Sequence, residues 1–100
     1  MEYELIWSED AIADVAAIIA HVAASNPSAA DRLGDAIFDE TEILRRFPEI
    51  GSAYPPGSAG RLRVLTRKSY RMFHDVDHPR KRVEVVTVWH VSRREPEHLN

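Results

Sequence analysis

The chain contains no cysteine. That excludes disulfide staples, thiolate metal sites and cysteine nucleophiles together, and it fits a reducing, cytoplasmic setting. Long apolar runs are missing as well. The longest lies within residues 11–24 and is broken by Asp14 and His21, so it does not read as a membrane span. The opening Met1-Glu2-Tyr3-Glu4 carries no basic region, and no signal peptide is expected. His74, His78 and His98 have no metal-ligand spacing, so neither a metal nor another cofactor is expected. There is no internal repeat and no low-complexity segment. With 44% hydrophobic and 29% charged residues, the 100-residue chain has the balance of one ordered globular domain, residues 1–100.

What is present is a division of charge. Residues 1–50 hold eleven acidic and three basic side chains (−8), and residues 51–100 hold five acidic and ten basic (+5), which sum to the net charge of −3. A uniformly acidic protein repels anionic partners, whereas a segregated one can present a cationic face and stay in solution. Most of the positive charge falls in the stretch from Arg61 to Arg94, which reads as three strand-like runs. The alternative meaning of those basic residues is a merely solvated strand face.

Taken in order, Tyr3 to Trp7 suits a strand. Ser8 is a helix N-cap, with Glu9 and Asp10 in the first turn, where carboxylates complement the helix dipole. Ile12, Val15, Ala16, Ile19, Val22 and Ala23 then form one apolar stripe at helical spacing, ending near Ala24. Asn26-Pro27 restarts a helix, because asparagine caps well and proline is pre-set for the first helical position. Its stripe is Ala30, Leu33, Ile37, Leu44 and Phe47, and Pro48 with Gly51 stops it. So short a link between two amphipathic helices makes an antiparallel hairpin.

Residues 48–60, with three prolines and three glycines, read as a loop without periodicity. The strands follow, and Asp77 to Lys81 joins the second to the third as a hairpin loop. The order is β-α-α-β-β-β: an α+β domain with a helical hairpin packed on a mainly antiparallel, twisted sheet. Val83 to Trp89 is apolar at nearly every position, which predicts an interior strand covered on both faces. The helices supply one cover. The second is expected from the C-terminal tail or from a partner.

Ile6-Trp7-Ser8 with Ala11 and Asp14, Asn26-Pro27 with Ala29-Ala30 and Arg32, Phe47-Pro48-Glu49-Ile50-Gly51, Arg63, Tyr70-Arg71, and Val88-Trp89-His90 with Arg93 together resemble the RelE/ParE superfamily, toxins of bacterial type II toxin-antitoxin modules. The resemblance runs along essentially the whole chain in order. It implies the same β-α-α-β-β-β fold and a cognate antitoxin whose C-terminal segment wraps the toxin in a higher-order complex. Arg61, Arg63, Arg67, Lys68, Tyr70, Arg71, Arg93 and Arg94 are the residues expected to bind that antitoxin or the target.

Two activities divide the superfamily. RelE-like members cleave messenger RNA on the ribosome, which needs a base for the ribose 2′-hydroxyl, cations for the phosphorane-like transition state and an acid for the leaving oxygen. In this chain Arg63, Arg71 and His90 would carry that chemistry, with Arg61, Arg67 and Lys68 as further cations and His74 or Tyr70 as other proton carriers. ParE-like members act on DNA gyrase without nuclease chemistry. The paired helices, the Asn26-Pro27 link and the Phe47 to Gly51 turn are closer to ParE, and the acidic ending Glu95-Pro96-Glu97-His98 is an awkward place to dock RNA.

Each residue also has a structural reading: Trp7 and Trp89 as core, Tyr70 as a packed strand residue with its hydroxyl at the rim, His90 as the end of an apolar strand. A degenerate toxin that keeps the fold and the antitoxin but not the poison stays open. A plain RNA-binding module fits less well, since Tyr70, Phe73 and Trp89 share no alternation with the basic residues.

Overall fold

The structure, a computed structural model, describes residues 2–92. Strand β1 (Glu4–Trp7) leads through Ser8 into helix α1 (Glu9–Ala23). The Ser8 Oγ accepts from the Ala11 backbone N–H at 3.0 Å and donates to the Val86 carbonyl at 2.7 Å, so a single cap starts the helix and pins it to the sheet. Asn26 caps α2 (Pro27–Thr41) in the same way, its Oδ1 accepting from the Ala29 N–H at 3.1 Å. A 3₁₀ turn (Glu42–Arg45) follows, then β2 (Ser52–Ala53), β3 (Leu62–Arg67), β4 (Tyr70–Asp77) and β5 (Arg82–His90).

The five strands form one sheet in the order β1-β5-β4-β3-β2. Only β1 runs parallel to its neighbour; β5-β4, β4-β3 and β3-β2 are antiparallel. The two-residue β2 is absent from the sequence reading because nothing so short carries a periodic signal.

The principal core lies between the helical hairpin and one sheet face. Val15 and Ile37 from the helices and Leu44 from the 3₁₀ turn meet Leu65, Met72, Val83, Val85 and Val88 from the strands. The β5 residues in that core are spaced two and then three apart. Phe73 pairs with Thr87 but His74 pairs with Val85, which leaves Val86 as a bulged residue. The largely apolar run of β5 thus has two causes, burial on both faces and a bulge that shifts the alternation.

Three members of the predicted helical stripes are exposed: Ala16, Ile12 and Phe47, the last two at 54% each. For Phe47 the reason is that α2 ends at Thr41 and the tighter turn after it rotates the stripe. On the second sheet face the described residues supply a cover of their own, while the C-terminal tail expected there lies outside them. The chain between the 3₁₀ turn and β3 crosses the sheet edge as β2 and lays Tyr54 on Phe73, their rings edge to face with centroids 5.1 Å apart. Tyr54, Val64 and Phe73 form this smaller core, flanked by Leu62 and Trp89.

His74 ties the same crossing segment to the helix-side face. It has no exposed surface, its Nε2 lies 3.2 Å from the Pro48 carbonyl and its Nδ1 lies 3.3 Å from the Met72 carbonyl. Burial pushes its pKa below the usual 6.5, and Arg63, its partner across the strand pair, pushes the same way. Between that depressed value and 6.5 the unfolded chain binds more protons than the folded one. Stability is therefore full above pH 6.5 and falls as the pH drops through the folded-state pKa. Urea midpoints should decrease from pH 7.5 to pH 5, and His74→Gln should flatten part of that slope.

Candidate functional site on the cationic strands

Strand alternation sorts the cationic residues onto two faces. Arg63 and Arg67 share the helix-side alternation with buried Leu65, whereas Arg71 shares the opposite one with Phe73. The Arg71 guanidinium lies 5.0 Å from the Phe73 ring centroid and 5.9 Å from that of Tyr54, a cation-π stack over the smaller core. Tyr54 escaped sequence reasoning because it sits in a loop whose prolines hide any pattern.

Several of the predicted cations are already engaged by the chain itself. Arg61 reaches Asp75 at 2.5 Å and Asp77 at 3.5 Å; the Asp75 bond raises its pKa further. Arg67 pairs with Glu40 of α2 at 3.2 Å. Arg63 donates to the Gly51 carbonyl at 3.0 Å, and its Nε is buried without a hydrogen-bond partner. Lys68 is exposed at the tip of the β3-β4 hairpin and forms no ion pair with a described residue. Arg93 and Arg94, like the acidic ending with His98, lie outside the described residues.

Tyr70 and His90 face the helices together, their rings edge to face at 5.4 Å. With Asp14, Ile18, His21 and Ser92 they line a groove of about 560 Å³ between α1 and the ends of β4 and β5. The Ser92 N–H donates to His90 Nδ1 at 3.1 Å, which leaves the proton of the neutral ring on Nε2. Asp14 closes the inner wall. Its Oδ2 accepts from the Thr87 hydroxyl and from the Val88 N–H, and Thr87 Oγ1 accepts in turn from Trp89 Nε1 at 2.9 Å. Beyond the end of β1, Ser8 and Asp14 thus serve β5 as a missing strand neighbour would.

Arg63, Arg71 and His90 are not brought together. Arg63 pairs with His74 and His90 with Tyr70, positions four residues apart on β4, or about 13 Å along the strand. Arg71 stands on the opposite face from both. Among the described residues no group of three His, Asp or Glu side chains could hold a metal. None of the described helices is long and apolar enough to cross a membrane.

The fold is thus a helical hairpin across a mixed five-stranded sheet with a parallel first strand. Solved structures share it: the chromosomal ParDE toxin-antitoxin system of P. aeruginosa (TM-score 0.75, 23% identity, 91% of this chain and 98% of that chain). Others are a RelBE toxin-antitoxin complex of Mycobacterium tuberculosis (TM-score 0.68, 18% identity, 90% of this chain and 99% of that chain) and the intact E. coli RelBE complex (TM-score 0.57, 18% identity, 91% of this chain and 99% of that chain). No curated relative matches at a significant level. The model of the ParE toxin of type II toxin-antitoxin systems matches residues 5–95, and the chain belongs to that family.

Proposed function

We propose that this type II toxin arrests growth in the cytoplasm by acting on DNA gyrase rather than by cutting RNA, and that a cognate antitoxin neutralises it. The observation that carries the choice of target is the separation of Arg63, Arg71 and His90 across two sheet faces. Transesterification at one phosphate needs base, cation and acid within hydrogen-bond reach of the same few atoms. Here the only pair of proton-carrying side chains in ring contact on β4 and β5, Tyr70 with His90, has none of the described arginines among the residues lining its groove.

Two of the similar solved structures are RelBE toxin-antitoxin complexes and another is of a ParDE toxin-antitoxin system, which supports an antitoxin partner for this chain as well. The test pairs a gyrase supercoiling and cleavage assay on the purified protein with mapping of transcript breaks after induction in cells. Loss of supercoiling with gyrase-dependent DNA breaks is expected. Codon-linked transcript breaks would replace gyrase with messenger RNA as the target. Unimpaired growth on strong induction would mark a degenerate toxin.

A further inference from the structure

Three segments far apart in the chain meet beside the start of β1. The Tyr3 N–H donates to the Arg45 carbonyl at 2.7 Å, and the half-buried Tyr3 ring packs on the edge of the principal core. His78 opens the β4-β5 turn, in which its carbonyl accepts from the Lys81 N–H at 3.1 Å. Glu49 lies in a bend after the 3₁₀ turn, closed by the Ile50 N–H on the Phe47 carbonyl at 3.1 Å. Anchored backbone thus places all three side chains.

His78 stands between the other two. Its Nδ1 lies 2.6 Å from the Tyr3 hydroxyl, and its Nε2 lies 2.7 Å from Glu49 Oε1. A carboxylate only accepts, so Nε2 carries the hydrogen of the neutral ring and Nδ1 is left as the acceptor. Tyr3 therefore donates its phenolic proton to a histidine that Glu49 orients. Hydroxyl, base and orienting carboxylate in hydrogen-bonded series is the arrangement that activates a nucleophile. Tyr70 supplies the contrast within the same chain. It meets His90 edge to face at 5.4 Å, much as Tyr3 meets His78 at 5.6 Å, but His90 Nδ1 is hydrogen-bonded to Ser92 and not to the Tyr70 hydroxyl.

A pocket of about 420 Å³ opens beside the series, lined by His78 and Glu49, with Phe47, Pro48 and Ile50 as its apolar wall and Arg46 as a positive charge. Such a wall suits an uncharged acyl group better than a phosphate, and the guanidinium suits the oxyanion that acyl transfer develops.

We propose that Tyr3 is a nucleophilic tyrosine that accepts a small acyl group from an activated ester, with His78 as its general base and Glu49 as a positioning residue. The phenolic oxygen bonds to the acyl carbon while its proton passes to His78 Nδ1. The bond from that carbon to the leaving group breaks, and the leaving group departs with the electron pair. Glu49 holds the imidazolium through Nε2–H until the proton returns to water. The ester so formed has no proton to donate, and the Tyr3-His78 hydrogen bond is lost. The site lies at the other end of β4 from the Tyr70 groove and does not depend on the choice of toxin target.

The purified full chain is treated with p-nitrophenyl acetate, and acetyl groups are located over time by peptide mass mapping. Tyr3 should be acetylated about tenfold or more faster than Tyr70. His78→Gln, whose amide can keep both hydrogen bonds but takes up no proton, should bring Tyr3 down to the rate of Tyr70. Glu49→Gln should slow Tyr3 and leave Tyr70 unchanged. Equal rates at Tyr3 and Tyr70 in the parent, or an unchanged Tyr3 rate in His78→Gln, overturn the proposal. If His78→Gln does not fold, as its thermal midpoint would show, an unchanged Tyr3 rate in Glu49→Gln overturns it instead. Growth arrest is not read by this experiment, so its failure leaves the toxin reading in place.

Discussion

Gly51→Ala should destabilise the fold by about 3 kcal/mol or more, a large share of the ~5–15 kcal/mol that holds a domain of this size together. Gly51 has a φ of +94°, and a β-carbon there would stand 2.2 Å from the Val64 carbonyl oxygen and 3.2 Å from the Leu65 Cα. Those atoms belong to the backbone of β3 and cannot rotate away. The residue marks the point where the chain crosses the sheet edge, and its own carbonyl accepts from Arg63. Displacing it therefore disturbs β2, the Arg63 contact and the seat of Tyr54 together.

Gly57→Ala provides the control. Its φ of +82° is similar, but nothing lies within 4 Å of the added carbon, so only the left-handed penalty of about 1 kcal/mol applies. Urea unfolding of the two variants should differ by roughly 2 kcal/mol, which isolates the steric part. Equal losses would mean that β3 can yield at Val64.

Asp14→Ala should cost about 2–3 kcal/mol, because it strips the acceptor from the Val88 N–H and the Thr87 hydroxyl where no strand pairs with β5. With Asp14 in place, Val88 and Thr87 are each 1% exposed, so its carboxylate is the partner both donors rely on. Thr87→Val should cost less, about 1–2 kcal/mol, since it removes a donor and leaves the Asp14 bond to Val88 in place. The double variant should lose less than the sum of the two, as expected for groups sharing one bond. Strict additivity in urea titrations would show that Asp14 and Thr87 act independently. Removal of the network should also be visible in Trp89 fluorescence, because the indole N–H donates to Thr87.

These two sites differ in how far they could be read in advance. Gly51 was marked as the stop of a helix, which is a local property; its collision with Val64 depends on a strand that begins eleven residues later. Asp14 reads in the sequence as a break in an apolar run and as one residue of the family resemblance, with no partner assigned to it. That it ends beside β5, more than seventy positions away, follows from β1 stopping at Trp7 and leaving the rest of β5 without a neighbour.

Local chemistry is what the sequence determined by itself. Ser8 and Asn26 cap helices because their side-chain oxygens reach the N–H three residues on. The apolar stripes need one covering sheet, and the apolar run from Val83 to Trp89 belongs to an interior strand. Only the tertiary structure decided which arginines are available. Arg61 is held by Asp75 across a strand pair, Arg67 by Glu40 from a helix, and Arg71 by the rings of Phe73 and Tyr54. Helical and strand periods are short-range and recur within a few residues, so a sequence displays them. Ion pairs and stacking depend on register between segments distant along the chain, and that register arises from the joint burial of the whole core, which no single stretch encodes.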